Sequence, residues 1–356
     1  MIDNFSVLKE YVIPRNVLLK LLDTYQNLGR TDIYLEKLGD KKEVITRNCF
    51  EKDCYYFLEL LKYCGLNLDI TDNRLRLLIT KGSNPTNSKE KMICGIMNVL
   101  NELKNDSKRQ TINSSDILMY LNYIFNNKVK FDMTQIKERG LTKVNERKSS
   151  RLAFDHVLDK YSNVLNSKSF EPIMLSLMVF LELRMIKPYR LISEDEVDIN
   201  KIASFLVLYY LFEVNGVHSY HISSFFMQMV ENIEEIDKAI AVATFNYYES
   251  YFKLNDFTIL FLDLIDESYT ELINIVNEAE YLDDASKAYV IEKTIFKMDK
   301  MFTKEDVRKL NPYVSDTTIM RVFTKLKNEG VIMPLSKGRN AVWILTIDEH
   351  DPRRLF

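Results

Sequence analysis

Apolar positions recur every three or four residues along most of this chain, and each recurrence predicts a helix with one buried face. Residues Val12 to Leu28 place Val17, Leu18, Leu21, Leu22 and Tyr25 on one such face, with Pro14 tolerated in the first turn. Cys54 to Cys64, Asn73 to Ile79 and Lys89 to Leu103 follow, the last turning Ile93, Ile96, Met97, Val99 and Leu100 inward. Ser114, Ser115 and Asp116 supply a cap for Ile117 to Phe125. Helix resumes at Phe154 to Leu165, and beyond Gly216 it is predicted at Ser223 to Ile233, Ile236 to Tyr251 and Asp256 to Ala279. The body reads as all-α.

The stretch from Pro172 to Gly216 organises the rest. Pro172 to Ile186 is almost wholly apolar and must be buried on most of its circumference. Lys187-Pro188-Tyr189 stops it, because proline disfavours helix in the residue before it. A polar, acidic loop from Arg190 to Asn200 leads to a second apolar run, Ile202 to Val214, ending at Asn215-Gly216. Two buried helices around one exposed loop make a frame for an active site. Two other segments lose the helical period: residues 80–87, a loop, and Asn126 to Ser150, where charges of both signs crowd into a solvated loop, a short hairpin or a flap over a site.

The last seventy or so residues change character. Ser286 to Met298, Thr303 to Leu310 and Ser315 to Asn328 read as three helices, with Thr303 and Ser315 as caps and Glu329-Gly330 as a stop. Short strands at Val331 to Leu335 and Val342 to Thr346 flank a basic turn, so the whole reads as a winged helix-turn-helix. Three regions result: an N-terminal helical region at 1–105, a helical core at 106–285, and the C-terminal module at 286–350.

Composition narrows the class. The chain has 356 residues, 46% hydrophobic and 28% charged, with only 9 Gly and 7 Pro, which favours long helices over a turn-rich fold. No apolar run has the length of a membrane span and Met1 to Glu10 lacks a signal-peptide pattern, so a cytoplasmic protein with no membrane contact is expected. Cys49, Cys54, Cys64 and Cys94 are irregularly spaced and read as reduced, buried thiols. His218 and His221 lie close together without a cysteine nearby and read as a structural segment, so no metal site is expected.

Charge is unevenly placed. From Ser286 to Thr346 twelve Lys and Arg face six Asp and Glu, a net of +6 in a chain whose total is −3, leaving −9 elsewhere. Such asymmetry is what contact with phosphates requires. Asp316, Thr317, Thr318, Arg321 and Lys325 are expected on the exposed face of the third helix and Lys337 and Arg339 in the wing, which makes DNA the expected partner. The competing use of such a module is packing, a protein partner or a homodimer.

The central stretch resembles the core of the Fic family, whose members usually transfer AMP from ATP to a protein hydroxyl. Their signature, His-Pro-Phe-x-Asp-Gly-Asn-Gly-Arg-x-x-Arg, lies between two apolar helices. Ile186-Lys187-Pro188-Tyr189 matches its entry, and Asn200, Lys201 and Ser204 stand on its exit, Gly-Arg-x-x-Arg. The match continues through Tyr209 to Gly216 and Ile222 to Phe226, and a C-terminal winged helix is frequent in one branch of that family. The resemblance implies a Fic-like helical bundle.

Its departures bear on activity. Where the family places a histidine as general base stands Lys187, and a lysine ammonium is a poor base near neutral pH. The family's glycine turn offers backbone N–H groups to ATP phosphates, with an acidic residue on Mg²⁺ and an arginine on the phosphates. Between Lys187 and Lys201 there is no glycine, the spacing is 14 rather than the signature's eight, and Glu194, Asp195, Glu196 and Asp198 would repel phosphates. Lys201 and Ser204 replace the two arginines, and the family's inhibitory Ser-x-x-x-Glu-Gly, expected near Thr80 to Asn84, lacks its glutamate. The expectation is a Fic-like regulator that has lost AMP transfer, uses no cofactor and binds DNA. The alternatives are a reworked nucleotidyltransferase, which alone would need ATP and Mg²⁺, and a protein-interaction scaffold.

Overall fold

A heptad seam joins the two ends of the helical body. In α1 (Arg15–Lys37) the buried residues Val17, Leu21, Thr24, Leu28, Thr31 and Leu35 recur at alternating spacings of four and three, the pattern of a helix packed side by side on another. Its partner is α11 (Leu254–Tyr281), which runs in the same direction. Lys20 reaches Asp263 and Asp266 at 2.7 and 2.8 Å, Asn27 donates to Asp266 at 3.2 Å, and Tyr34 meets Tyr269 edge-on. The structure, a computed structural model, describes residues 5, 8, 11–39, 41–66, 68–105, 112–133, 135–136, 148–192, 197–247, 253–281, 287–311, 314–336, 338, 341–347 and 351.

Between these helices the chain packs α2 (Lys41–Tyr63), α3 (Asp72–Lys81), α4 (Ser88–Asn105) and α5 (Ser114–Ile124), then α6 (Ser150–Asn166), α7 (Pro172–Ile186) and α8 (Ile199–Val214). A 3₁₀ turn at His218–His221 leads to α9 (Phe225–Glu231) and α10 (Ile233–Ala243). The core runs from Phe5 to Ile265 and is centred on α7 and α8. Phe180 and Phe205 touch edge to face across these two helices, and both are fully buried. Gly95 lets α4 approach α5, because a Cβ there would sit 2.2 Å from the Tyr123 carbonyl oxygen.

Strands are few and short. β1 (Val129–Phe131) pairs antiparallel with β4 (Tyr189–Leu191), and β2 (Gln135–Ile136) with β3 (Lys148–Ser149). The C-terminal module has its own core, with Ile291, Ile295, Phe302, Val307, Ile319, Val322, Phe323 and Leu345 buried together. It consists of α12 (Lys287–Lys297), β5 (Met301–Thr303), α13 (Lys304–Leu310), α14 (Asp316–Asn328), β6 (Ile332–Pro334) and β7 (Val342–Leu345), and β7 is the central strand of its sheet. Thr303 and Ser315 cap α13 and α14 as the sequence implies, whereas β5 carries no sequence signal beyond Met301-Phe302.

Several sequence expectations are corrected. Pro14 precedes α1 as its cap rather than lying in its first turn, and Leu18 and Leu22, expected in the buried face with Val17 and Leu21, are 45% and 58% exposed. Asn113, not Ser114, caps α5: its Oδ1 accepts the N–H groups of Ser115 and Asp116 at 2.9 Å while Asp116 accepts the Asn113 N–H at 3.2 Å. α10 ends at Ala243, well before Tyr251, and α2 begins at Lys41 rather than Cys54. Residues 137–147, the densest part of the charged segment, lie outside the described residues. Among the described residues no helix is long and apolar enough to cross a membrane, and no group of three or more His, Cys, Asp and Glu could hold a metal ion. His218 and His221 instead stack on each other and bond Asp32 and Glu213.

Candidate functional site

The loop between α7 and α8 begins with a reversal. Lys187 closes α7 in the left-handed conformation, φ 52° and ψ 61°, its N–H bonded to the Leu183 carbonyl at 3.2 Å. A left-handed lysine costs on the order of 1 kcal/mol and turns its side chain outward, where Lys187 is exposed. Pro188, next in line, accepts the Asp132 N–H at 2.8 Å, and Tyr189 enters the ladder with β1. The Tyr189 ring is buried, stacks on Phe131 and donates its hydroxyl to the Ser114 carbonyl at 2.9 Å. Burial pushes its phenol well above the ordinary range, so it stays neutral. Contrary to the picture of an exposed loop, its first residues are built into the core.

The far side of the loop is equally committed. Asp198 caps α8 by accepting the Lys201 N–H at 2.9 Å, and its own N–H donates to the Cys64 carbonyl at 3.0 Å. Asn200 is buried and spends its amide on the Tyr189 backbone. The Lys201 side chain, 7% exposed, is ion-paired with Asp237 on α10 and lies 4.2 Å from the centre of the Tyr63 ring. Tyr63 in turn donates to Asp237 at 3.1 Å. Arg184, from the last turn of α7, approaches Asp237 at 3.4 Å and Asp198 at 3.9 Å. Ser204 is fully buried and bonds the Lys201 carbonyl at 2.7 Å. Beside them burial pushes the Cys64 thiol up to about 12, so it is no nucleophile.

The structure therefore brings together Pro188, Tyr189, Asn200, Lys201 and Ser204 and turns Lys187 away. Glu194, Asp195 and Glu196 lie outside the described residues. Sequence reasoning missed Arg184, Tyr63 and Asp237. Asp237 is 36 residues from Lys201 and no local pattern couples them.

A phosphate bound here would need the charge of Arg184 and Lys201, and both already face carboxylates. Between Lys187 and Lys201 the sequence has no glycine turn to present backbone N–H groups to such a phosphate.

The second candidate surface is α14. Thr317 and Arg321 are exposed, whereas Thr318 is half-buried with its hydroxyl 2.9 Å from that of Ser315. Asp316, expected on the open face, is instead gripped by Arg308 with two contacts of 2.7 Å. Burial raises the Asp316 carboxyl, but the hydrogen bonds and charge of Arg308 outweigh it and hold the group below its usual value. Lys325 donates to Glu292 at 2.6 Å, so its charge is partly spent within the module. Lys337 and Arg339 lie outside the described residues. A cleft of about 1110 Å³, lined by Lys52, Glu267 and Glu271 on one wall and Tyr289, Lys293 and Lys297 on the other, separates the module from α11 and includes no residue of the loop between α7 and α8.

Solved structures similar to this chain include two Fic proteins. One is a Fic family protein from Desulfovibrio desulfuricans G20, with 10% sequence identity, a TM-score of 0.42, and coverage of 95% of this chain and 98% of that one. The other is a Fic domain containing signaling protein from Bacteroides thetaiotaomicron VPI-5482, with 14% identity, a TM-score of 0.48, and coverage of 71% and 95%. No protein-family model matches the sequence, and no curated protein matches it.

Proposed function

We propose that this chain is a Fic-like protein that no longer transfers AMP and that regulates through DNA bound by its C-terminal module, a winged helix-turn-helix. The observation that carries the first part is the pairing of Lys201 and Arg184 with Asp237 at the positions where phosphates would need free cations. Displacing that carboxylate would leave buried positive charge to be shared with a ligand, at a cost the ligand must first overcome. Lys187, outward and left-handed, offers no base. The second part is supported by the exposed Arg321 and Thr317 on α14 and by the net charge of +6 over Ser286 to Thr346 within a chain of −3.

Thermal denaturation in the presence of ATP and Mg²⁺ tests the first part: an unchanged midpoint is expected, and a rise that Lys201→Ala abolishes overturns it. Gel retardation of the DNA upstream of the protein's own gene tests the second. A salt-sensitive shift is expected. Its absence at low salt leaves the module as a protein-interaction scaffold.

A further inference from the structure

Among the described residues, one face of α1 stands exposed with no hydrogen bond, ion pair or ring contact to the rest of the body. Opposite its seam lies a second stripe at alternating spacings of four and three: Arg15, Leu19, Leu22, Gln26, Gly29, Ile33 and Glu36, all exposed. Leu19, Leu22 and Ile33 are 50%, 58% and 58% exposed, and Leu18 at 45% widens the apolar strip on its flank. Single exposed leucines need no explanation, but exposed leucines and an isoleucine that recur at heptad positions of one helix face do.

The stripe is self-complementary when reversed. Two copies of α1 laid antiparallel about a two-fold axis at Gln26 set Gln26 level with Gln26 of the second copy, then Leu22 with Gly29, Leu19 with Ile33 and Arg15 with Glu36, each pair matched to within about 1.5 Å along the axis. Each layer then makes physical sense. The two central amides each carry donors and an acceptor and can hydrogen-bond each other, and a polar residue within an apolar seam favours the register that pairs it. Gly29 is open, with nothing within 4 Å of where a Cβ would stand, and accepts the facing leucine closely. Leucine meets isoleucine, and opposite charges meet at both ends. A parallel pairing would instead put arginine on arginine and glutamate on glutamate.

We propose that this chain forms a homodimer through the antiparallel pairing of α1 with α1 of a second copy. The occupant is fixed by that complementarity: the same stripe read backwards satisfies its own charges, which an isologous two-fold interface demands. Such an arrangement would also present two C-terminal modules from one particle.

Sedimentation equilibrium of the full chain is expected to give twice the 42.0 kDa of one copy. Leu22→Glu, whose charge enters an apolar layer in both copies, is expected to weaken association by at least about tenfold. Arg15→Glu and Glu36→Arg are each expected to weaken it, and the double variant Arg15→Glu/Glu36→Arg to restore it. That recovery would not follow from a loss of folding, since both residues are on the surface. A monomeric wild-type chain at about 100 μM overturns the proposal, as does a dimer indifferent to Leu22→Glu or a double swap no better than the single ones.

Discussion

Asn200 grips the main chain of Tyr189 from both sides. Its Oδ1 accepts the Tyr189 N–H at 3.0 Å and its Nδ2 donates to the Tyr189 carbonyl at 2.8 Å. The amide takes the place of a strand neighbour, so Tyr189 pairs with β1 on one side and with a side chain from α8 on the other. Asn200→Ala leaves two buried backbone groups without partners, and urea denaturation is expected to show a loss of about 2–4 kcal/mol. Asn200→Leu, which fills the space but cannot bond, is expected to be no better.

Asp237→Ala strips the carboxylate from Lys201, whose side chain is only 7% exposed. A buried cation left alone costs about 3 kcal/mol. Thermal melts are expected to show that loss, and Lys201→Met in the same chain is expected to recover most of it.

The two cations of α14 should differ in DNA binding if the module reads phosphates. Arg321 is exposed, whereas Lys325 is held by Glu292 at 2.6 Å. Arg321→Ala is expected to lower the slope of log affinity against log salt by about one, and Lys325→Ala by less. Fluorescence anisotropy across a salt series reads both.

Glu90 links stability to acid. Hydrogen bonds from Arg74, then from the Thr86 N–H, hold its carboxyl down at about 2, against an ordinary value near 4.5. A group depressed in the folded state contributes stability that is complete above its unfolded value and is lost as the pH falls toward the folded one. The chain is therefore expected to lose stability between about pH 5 and pH 2, and Glu90→Gln, measured by pH-dependent denaturation, to flatten that part of the curve.

Gly95→Ala pushes a methyl group into the Tyr123 carbonyl, 2.2 Å away on the backbone of α5. Backbone cannot rotate aside as a side chain can. A fall of about 2–3 kcal/mol is expected despite alanine's better helix propensity.

What could be read from the sequence follows from where the physics is local. α7 and α8 are buried nearly all round, so their apolar runs mark them without any partner being known. α2 is different. Its interior face includes Glu51 and Asp53, and Asp53 is buried because it accepts the Ser224 hydroxyl at 2.7 Å and the Phe226 N–H at 3.2 Å. Those partners lie more than 170 residues away, so the acidic positions read as a surface and the helix as beginning late. α1 misled in the opposite sense: Leu18 and Leu22 belong by hydrophobicity with Val17 and Leu21, but an outward stripe and an inward one lie only one residue apart. At the site, the absence of glycine and histidine is visible in the letters, while the neutralisation of Lys201 by Asp237 is visible only in space.

The pairing of α1 with α11 also dictates an order of events. Tyr11 bonds Asn255 across 244 positions of chain and Asn27 bonds Asp266 across 239. A ribosome therefore releases the seam of Val17, Leu21 and Leu28 long before the surface that covers it exists. The first helix made must keep its apolar edge in water, or on a chaperone, until almost the whole body has emerged, and closure of that seam is a late, long-range step in folding.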